Sequence, residues 1–341
     1  EKIGIATKGL RKTPGGVVST QASELAKLQK EHPIVELILQ YRELFKLKTT
    51  YVDALPVLVD PENKRLHTRF VQTGTATGRL SSAEPNLQNI PVRSEMADKI
   101  RKSFVAEEGF KLVSFDYSQI ELRLAAALSQ DEQMMKAFKE GLDIHALTAA
   151  QINKVKIKDV TSNMRRRAKV LNFGVLFGMG PVSFAQAVGV SKEQAKQFIE
   201  EYFKDFSGIA RYIEEIKDEA RRVGFVRTIT GRRRWLPEIH SQNHMVRSQA
   251  ERMAVNMPIQ GSDADISKMS MIAIDKEFGG QTDVRLLLQI HDALLFEIIQ
   301  EKIKMIIPKI KNLMENIVKL PVPLKVDAKV GDNWAELKPY A

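Results

Sequence analysis

Apolar and polar positions change rhythm several times along the chain. Two apolar runs read as strands, and each ends in an aspartate: Phe110-Lys-Leu-Val-Ser-Phe-Asp116, and Val284-Arg-Leu-Leu-Leu-Gln-Ile-His291-Asp292. The second continues through Ala293-Leu-Leu-Phe-Glu-Ile298 after a tight turn, and Leu324–Val330 offers a last strand. Helical spacing follows the first strand directly, over 119–128. The long stretch between the two strands predicts helices over 132–140, 144–152, 163–177, 191–204, 208–223 and 243–276. Strands flanking a helical insertion predict an α+β fold, an antiparallel sheet carrying a separate helical lobe.

The first hundred residues are patterned differently. Glu1–Thr20 is rich in Gly, Lys and Thr, with Pro14-Gly15-Gly16 as a turn, and reads as loop. Ser19 or Thr20 caps a helix over 21–30, and Pro33 starts another in which Ile34, Leu37, Ile38 and Leu44 keep helical spacing. Between Arg65 and Arg93 the text turns to Thr, Ser, Gly, Asn and Pro, which predicts an extended, irregular stretch with little core. There is no internal repeat and no low-complexity tract.

With 341 residues, 43% hydrophobic and 28% charged, the chain has the composition of a soluble globular protein of roughly two lobes. A formal charge of +10 points to an anionic partner, nucleic acid first, because phosphates reward spread lysines and arginines through counterion release. The alternative is that the charge serves solubility alone. The absence of cysteine excludes disulfides and thiolate zinc sites. No apolar run is long enough for a membrane span and no signal peptide opens the chain, so the cytoplasm is expected. A first residue of Glu1 instead of Met implies a fragment or a processed product.

Asp116 and Asp292 sit where strand-end carboxylates leave a sheet edge for a cleft. Neighbouring strands would bring them together, and two close carboxylates repel unless a proton or a cation lies between them. A hard divalent ion answers this, Mg²⁺ matching one or two carboxylates plus substrate phosphates. The alternative is two unrelated turn aspartates. Ser118-x-x-Glu121 has the form of a capping box, which would make Glu121 a helix-start residue, with or without a further role.

In Asn163–Gly178, Arg165, Lys169, Phe173 and Phe177 lie four apart, a stripe that drifts by only about 40° per step. Thr161 or Ser162 caps this helix and Gly178 ends it. Cations in a first turn oppose the helix dipole, so something anionic should compensate Arg165, Arg166, Arg167 and Lys169. A triphosphate there, with a sugar or base against Phe173, fits the order; so does a solvated basic face above core phenylalanines. Gly231-Arg-Arg-Arg-Trp235 reads as a phosphate contact or a solvated turn, Asp60-Pro61-Glu62 as a loop. His67, His145, His240 and His244 show no metal-ligand spacing.

Thr75-Ala-Thr-Gly-Arg-Leu-Ser-Ser82, Pro85-Asn-Leu-Gln-Asn-Ile-Pro-Val-Arg93 and Asp116-Tyr-Ser-Gln-Ile-Glu-Leu-Arg123 are followed by Arg165-x-x-x-Lys169-x-x-x-Phe173-Gly-x-x-x-Gly178, Asn256-Met-Pro-Ile-Gln-Gly261 and Gln289-Ile-His-Asp292. In this order they resemble the family A DNA polymerases, of the bacterial DNA polymerase I type, over essentially the whole chain. The resemblance implies a right-hand polymerase fold: partial thumb and connecting helices in 1–65, palm in 66–123 and 246–341, and fingers in 124–245. It implies addition of deoxynucleoside triphosphates to a primer 3′-hydroxyl by a monomer bound to primer-template DNA, in a bacterial or phage-infected cell and near its nucleoid. Two Mg²⁺ ions are implied, with Mn²⁺ able to substitute.

Site residues carry over position by position. Asp116 and Asp292 match the metal ligands, assisted by the backbone carbonyl of Tyr117. Arg165 and Lys169 match the residues gripping the triphosphate, Lys169 also acting in the chemistry. Phe173 matches the position under the incoming sugar and base, and Glu121 the gate that excludes a 2′-hydroxyl. Gln119, His145 and Phe177 complete the implied nucleotide contacts. Arg79, Gln260 and His291 match residues at the primer terminus and minor groove, where acceptors look alike in every correct pair. Asn86, Gln88, Arg93, Arg252 and Asn256 are implied DNA contacts.

Three departures stand out. Ala293 replaces the family's usual Glu, Phe177 its usual Tyr, and the chain begins inside what resembles the thumb, without the upstream exonuclease-like region. A single-subunit RNA polymerase shares the palm, but Glu121 crowds a 2′-hydroxyl and Phe173 stands where those enzymes resemble this motif with Tyr. A non-catalytic nucleic-acid-binding protein would need neither the two aspartates nor Arg165 and Lys169 in register.

Overall fold

The computed structural model describes Ile5 and residues 9–91 and 94–340. The chain divides into two compact units, Glu1–Arg69 with Ser82–Ser103 and Phe70–Ser81 with Phe104–Ala341. Among the described residues no helix is long and apolar enough to cross a membrane.

In the first unit, α1 (Ala22–Leu25) is shorter than the predicted helix and gives way to a 3₁₀ turn, Ala26–Leu28. Helix α2 (Pro33–Leu47) begins where expected: Pro33 is preset for the first turn, and the His32 ring accepts from the Ile34 N–H at 3.1 Å. Its core is small, Leu25, Leu28 and Val35 backed by Ile34, Ile38 and Leu39. Leu37, Tyr41, Leu44 and Phe45 stay exposed, so helical spacing at 37 and 44 shaped the helix without burying it. The chain passes between the units in β1 (Arg69–Val71) and β2 (Ser81–Ala83). The irregular text that follows β2 is held by side chain to backbone bonds, as where Tyr51 donates to Asn89 O at 2.7 Å. An unpredicted helix, α3 (Glu95–Lys102), is capped by Ser94.

After Phe104 the second unit continues with β3 (Phe110–Tyr117) and α4 (Ile120–Ser129). Then come α5 (Glu132–Lys139), α6 (Ile144–Asn153), α7 (Ser162–Leu176), α8 (Pro181–Val188), α9 (Lys192–Asp205) and α10 (Ser207–Val223). A hairpin of β4 (Phe225–Arg227) and β5 (Arg233–Trp235) precedes α11 (His244–Phe278). The chain ends with β6 (Val284–Ile290), β7 (Ala293–Ile299), α12 (Ile303–Glu315), β8 (Val326–Gly331) and β9 (Lys338–Pro339). Five strands form one sheet in the order β6-β7-β3-β8-β9, antiparallel as the sequence implied.

Strand β3 is central, and its alternation sets the site. Val113, Phe115 and Tyr117 are buried on one face, Phe115 meeting Phe296 of β7 edge to face at 5.6 Å. Tyr117 fixes what covers that face: its hydroxyl donates to Met314 O of α12 at 2.8 Å and lies 2.7 Å from Ser270 Oγ of α11. The period of two then turns Asp116 to the opposite face. Arg123 locks the strand end, donating to Ser118 O at 2.8 Å and Pro323 O at 2.6 Å with its guanidinium over the Phe138 ring.

The Tyr117 hydroxyl carries a testable share of this arrangement. Tyr117→Phe removes the hydroxyl that ties β3 to the Met314 carbonyl and to Ser270, and should lower unfolding stability by about 1–2 kcal/mol. In urea this appears as a lower midpoint at unchanged slope; an unmoved midpoint would show that the hydroxyl anchors nothing.

Candidate active site

The two strand-end aspartates meet. Asp116 lies opposite Ala293 in the β3–β7 pairing, and the Tyr117 N–H donates to Asp292 O at 3.3 Å. Ile290 pairs with Ala293, so His291 and Asp292 form a two-residue turn, with His291 exposed in the left-handed region at φ 55°. The Asp116 and Asp292 carboxyls come within hydrogen-bonding reach of each other. Burial, and then the charge of Asp292, pushes the Asp116 carboxyl well above the usual range, while Lys329 pulls it back and Asp327 pushes further. Asp327 lies opposite Asp116 on β8.

Among the described residues no group of three or more His, Cys, Asp or Glu side chains surrounds one point as a self-sufficient metal cage. Two adjoining carboxylates are the donor set for a hard cation that completes its shell with water or phosphate, so the residues present fit Mg²⁺. Tyr117 contributes only backbone here, its ring being buried on the other face.

Glu121 is not part of a capping box. Gln119 takes the left-handed conformation, φ 56°, and becomes the N-cap of α4 without a side-chain cap bond, while the Ser118 N–H donates to Lys325 O. Ser118 and Glu121 therefore stand out of phase for the reciprocal bonds. Glu121 turns instead to Arg79, whose Nη2 donates to Glu121 Oε1 and to Asp263 Oδ2, both at 2.8 Å. Burial raises the Glu121 carboxyl despite Arg79. Burial also raises Asp263, to about 7, even with the guanidinium beside it.

Arg79 follows a glycine that has no room for a side chain. Gly78 stands at φ 81°, where a Cβ would meet the Arg232 guanidinium at 2.7 Å. Arg232, though exposed, is bound to Asp265, so this member of the Arg232-Arg-Arg run is tied to α11.

Helix α7 is built as its sequence implies. Thr161 caps it by accepting from the Met164 N–H at 3.2 Å, and Gly178, φ 79°, follows the last turn. Arg165 and Lys169 are exposed, while Phe173 and Phe177 are half-buried against the core, neither solvated nor fully interior. An anion for the first turn is present in the chain: Asp143 Oδ2 accepts from Arg165 Nε at 2.6 Å. Burial alone would raise Asp143, but Arg165 and the N–H groups of Ala146 and His145 hold it below the usual range. Asp143 caps α6 through its other oxygen, accepting from those same N–H groups.

His145 lies under Phe173, ring centroids 5.8 Å apart, and its Nδ1 meets the Asn172 carboxamide at 2.9 Å. With the Asn172 amide donating, Nδ1 is unprotonated and the ring neutral. Burial, aided by Arg165 and Lys169 and opposed by Asp143, lowers it to about 4.

Arg252, Asn256, Gln260 and Asp263 are spaced by four, four and three residues and share one face of α11. Arg252 methylenes fill the space beside Gly178. Asn86 and Gln88 lie in the first unit, tied into their own loop: Asn86 accepts from the Gln88 N–H, and Gln88 from the Ser82 N–H, each at 3.1 Å. Arg93 lies outside the described residues. The sequence reading missed Asp143, Asp263 and Asp327. The stripe Arg252–Asn256–Gln260 extended by three residues reaches Asp263, and Asp143 stands where a cap precedes α6; nothing in the sequence marks Asp327.

The family model described as DNA polymerase family A matches residues 1–336. A thermostable DNA polymerase I from Thermus aquaticus is 48% identical over 323 residues, covering 95% of this chain and 39% of its own length. DNA polymerase I from Deinococcus radiodurans is also 48% identical, covering 95% and 34%. The chain thus spans under half the length of these curated relatives. Among solved structures, the POL domain of Pol1 from M. smegmatis, in complex with DNA primer-template and dNTP, matches with a TM-score of 0.89 at 42% identity, over 96% of this chain and 58% of that one.

The buried neutral His145 makes stability depend on pH. With a folded value of about 4 against an ordinary 6.5, the unfolded chain takes the proton first as pH falls. Its contribution is complete above pH 6.5 and is lost as pH drops toward 4. His145→Gln does not titrate, so the stability of wild type minus variant should fall over that window by at most about 1.4 kcal/mol per pH unit. Unfolding free energies that keep a constant difference would contradict the buried, neutral ring.

Proposed function

Since the chain belongs to DNA polymerase family A, we propose that it extends a primer on a DNA template, joining deoxynucleoside triphosphates to the 3′-hydroxyl with release of pyrophosphate. The observation that carries this is the meeting of Asp116 and Asp292 on the open face of the sheet, beside the Arg79–Glu121 pair. The solved relative that holds primer-template and dNTP supports both partners. The sheet then serves as palm, with 66–123 and 246–341 contributing, and the helices of 124–245 serve as fingers; residues 1–65 supply part of a thumb.

Asp116 and Asp292, with the Tyr117 carbonyl, would hold two Mg²⁺ ions, which when bound supply Lewis-acid activation of the hydroxyl and neutralise the phosphates. Arg165 and Lys169 grip the triphosphate at the start of α7, where exposed cations face the dipole's positive end and gain from an anion. Lys169 stays free to neutralise charge that grows on the leaving pyrophosphate. Phe173, half-buried over His145, offers a flat apolar face to the sugar and base, and Phe177 and Gln119 are further nucleotide contacts. Glu121 fills the space a 2′-hydroxyl would need. Arg79, Gln260 and His291 attend the primer terminus, and Arg252, Asn256, Asn86, Gln88 and Arg93 the duplex. The product is one phosphodiester longer, and the net step exchanges a phosphoanhydride for that ester.

Asp116→Ala and Asp292→Ala should each lower single-turnover extension by about a thousandfold or more, with primer-template affinity changing far less. Near-normal extension by either variant would end the two-aspartate reading. Glu121→Ala should lower the deoxy-over-ribo ratio of kcat/KM by about tenfold or more, because the volume opposing the 2′-hydroxyl is then empty. A ratio within about twofold of wild type would remove Glu121 from sugar choice.

A further inference from the structure

Asp263 has no part in the chemistry above, yet it is only 1% exposed. It approaches Arg79 from α11 while Glu121 approaches the same guanidinium from α4, and both carboxylates accept from the single nitrogen Nη2. A guanidinium free to choose one carboxylate makes a two-point fork. Here Arg79 Nε and Asp263 Oδ1 are both buried without a hydrogen-bond partner. Arg79 is therefore held in opposition, drawn by one acid on each side. The residue before it, Gly78, lies against the Arg232 guanidinium, which Asp265 holds. The Arg79 side chain divides itself between the two acids.

We propose that Asp263 is a positioning residue for sugar selection. By holding Arg79 back it prevents a two-point Arg79–Glu121 pair and keeps the Glu121 carboxylate turned toward the nucleotide sugar. This rests on the reading of Glu121 as the gate against a 2′-hydroxyl. Without the charge of Asp263, Nε and Nη2 of Arg79 both turn onto Glu121, which rotates the carboxylate away from the sugar and opens the space it guarded. A merely structural ion pair would alter stability and overall rate but not the choice between sugars.

The test is single-nucleotide primer extension with deoxy- and ribonucleoside triphosphates by wild type, Asp263→Asn, Glu121→Ala and the double variant, each with its thermal unfolding. Asp263→Asn should lower the deoxy-over-ribo ratio by about fivefold or more. The double variant should discriminate no worse than Glu121→Ala alone, because the effect of Asp263 passes through Glu121. A ratio for Asp263→Asn within about twofold of wild type, while Glu121→Ala lowers it, overturns the role of Asp263 and leaves the gate standing. Additive losses in the double variant also overturn it, since Asp263 would then act by another route. An unchanged ratio in Glu121→Ala overturns the gate and this proposal with it. Should Asp263→Asn fail to fold, Asp263→Ser, shorter and uncharged, faces the same outcomes.

Discussion

Two carboxylates held side by side repel, and much of the second unit is arranged around that repulsion. Asp116 and Asp292 leave neighbouring strands at the same level, so neither can retreat without breaking ladder bonds. The opposite face of the sheet supplies the fixity: Phe115, Tyr117 and Phe296 are sealed under α11 and α12, and the Tyr117 hydroxyl is bound at its tip. An interior packed to native density transmits such constraint with little give. The repulsion favours a proton on one of the two, and with burial it raises the Asp116 carboxyl. A cation between the two would do so more completely.

Charge elsewhere is disposed to match. Acids gather along the sheet's open face and the adjoining side of α11, in Asp116, Asp292, Asp327, Glu121 and Asp263. Cations stand on the first turns of α7, where the helix dipole disfavours them. The arrangement is stable only with partners on both sides: Arg79 threads the acids, and Asp143 meets the cations. Two residues near the aspartates, Gln119 and His291, adopt left-handed backbone without being glycine. Strain of this kind concentrates where geometry is set by function.

The sequence was most readable where one local rule governed. Apolar runs gave β3, β6 and β7 within a residue or two, and helical spacing gave most helices of the insertion. Spacing was less clear where punctuation intervened: Ile303, Ile306, Ile307, Ile310 and Met314 have the period of α12, but Pro308 divides it, its ring tolerated on the solvent side. Long-range facts were out of reach. That β3 pairs with β7 in a register joining Asp116 to Asp292 depends on segments far apart in sequence. The apparent capping box at Ser118 failed because one residue, Gln119, changed conformation and shifted the helix start. Asp263 stayed hidden because an acid on a helix reads as surface until its partner, Arg79, arrives from far along the chain.

The Asp143–Arg165 pair sets a threshold. Asp143 is anchored by the N–H groups at the start of α6 whether or not Arg165 is present, so it is always at hand and competes at a high effective concentration. A singly charged anion from solution offers Arg165 no more than Asp143 already does, and it must also surrender its freedom to diffuse. On the proposed reading, a polyphosphate would bring several charges to Arg165 and Lys169 together and would displace the carboxylate. Once it departed, Asp143 would still be in place to take Arg165 back and would close the cationic end of α7 to the small anions of the surrounding solution.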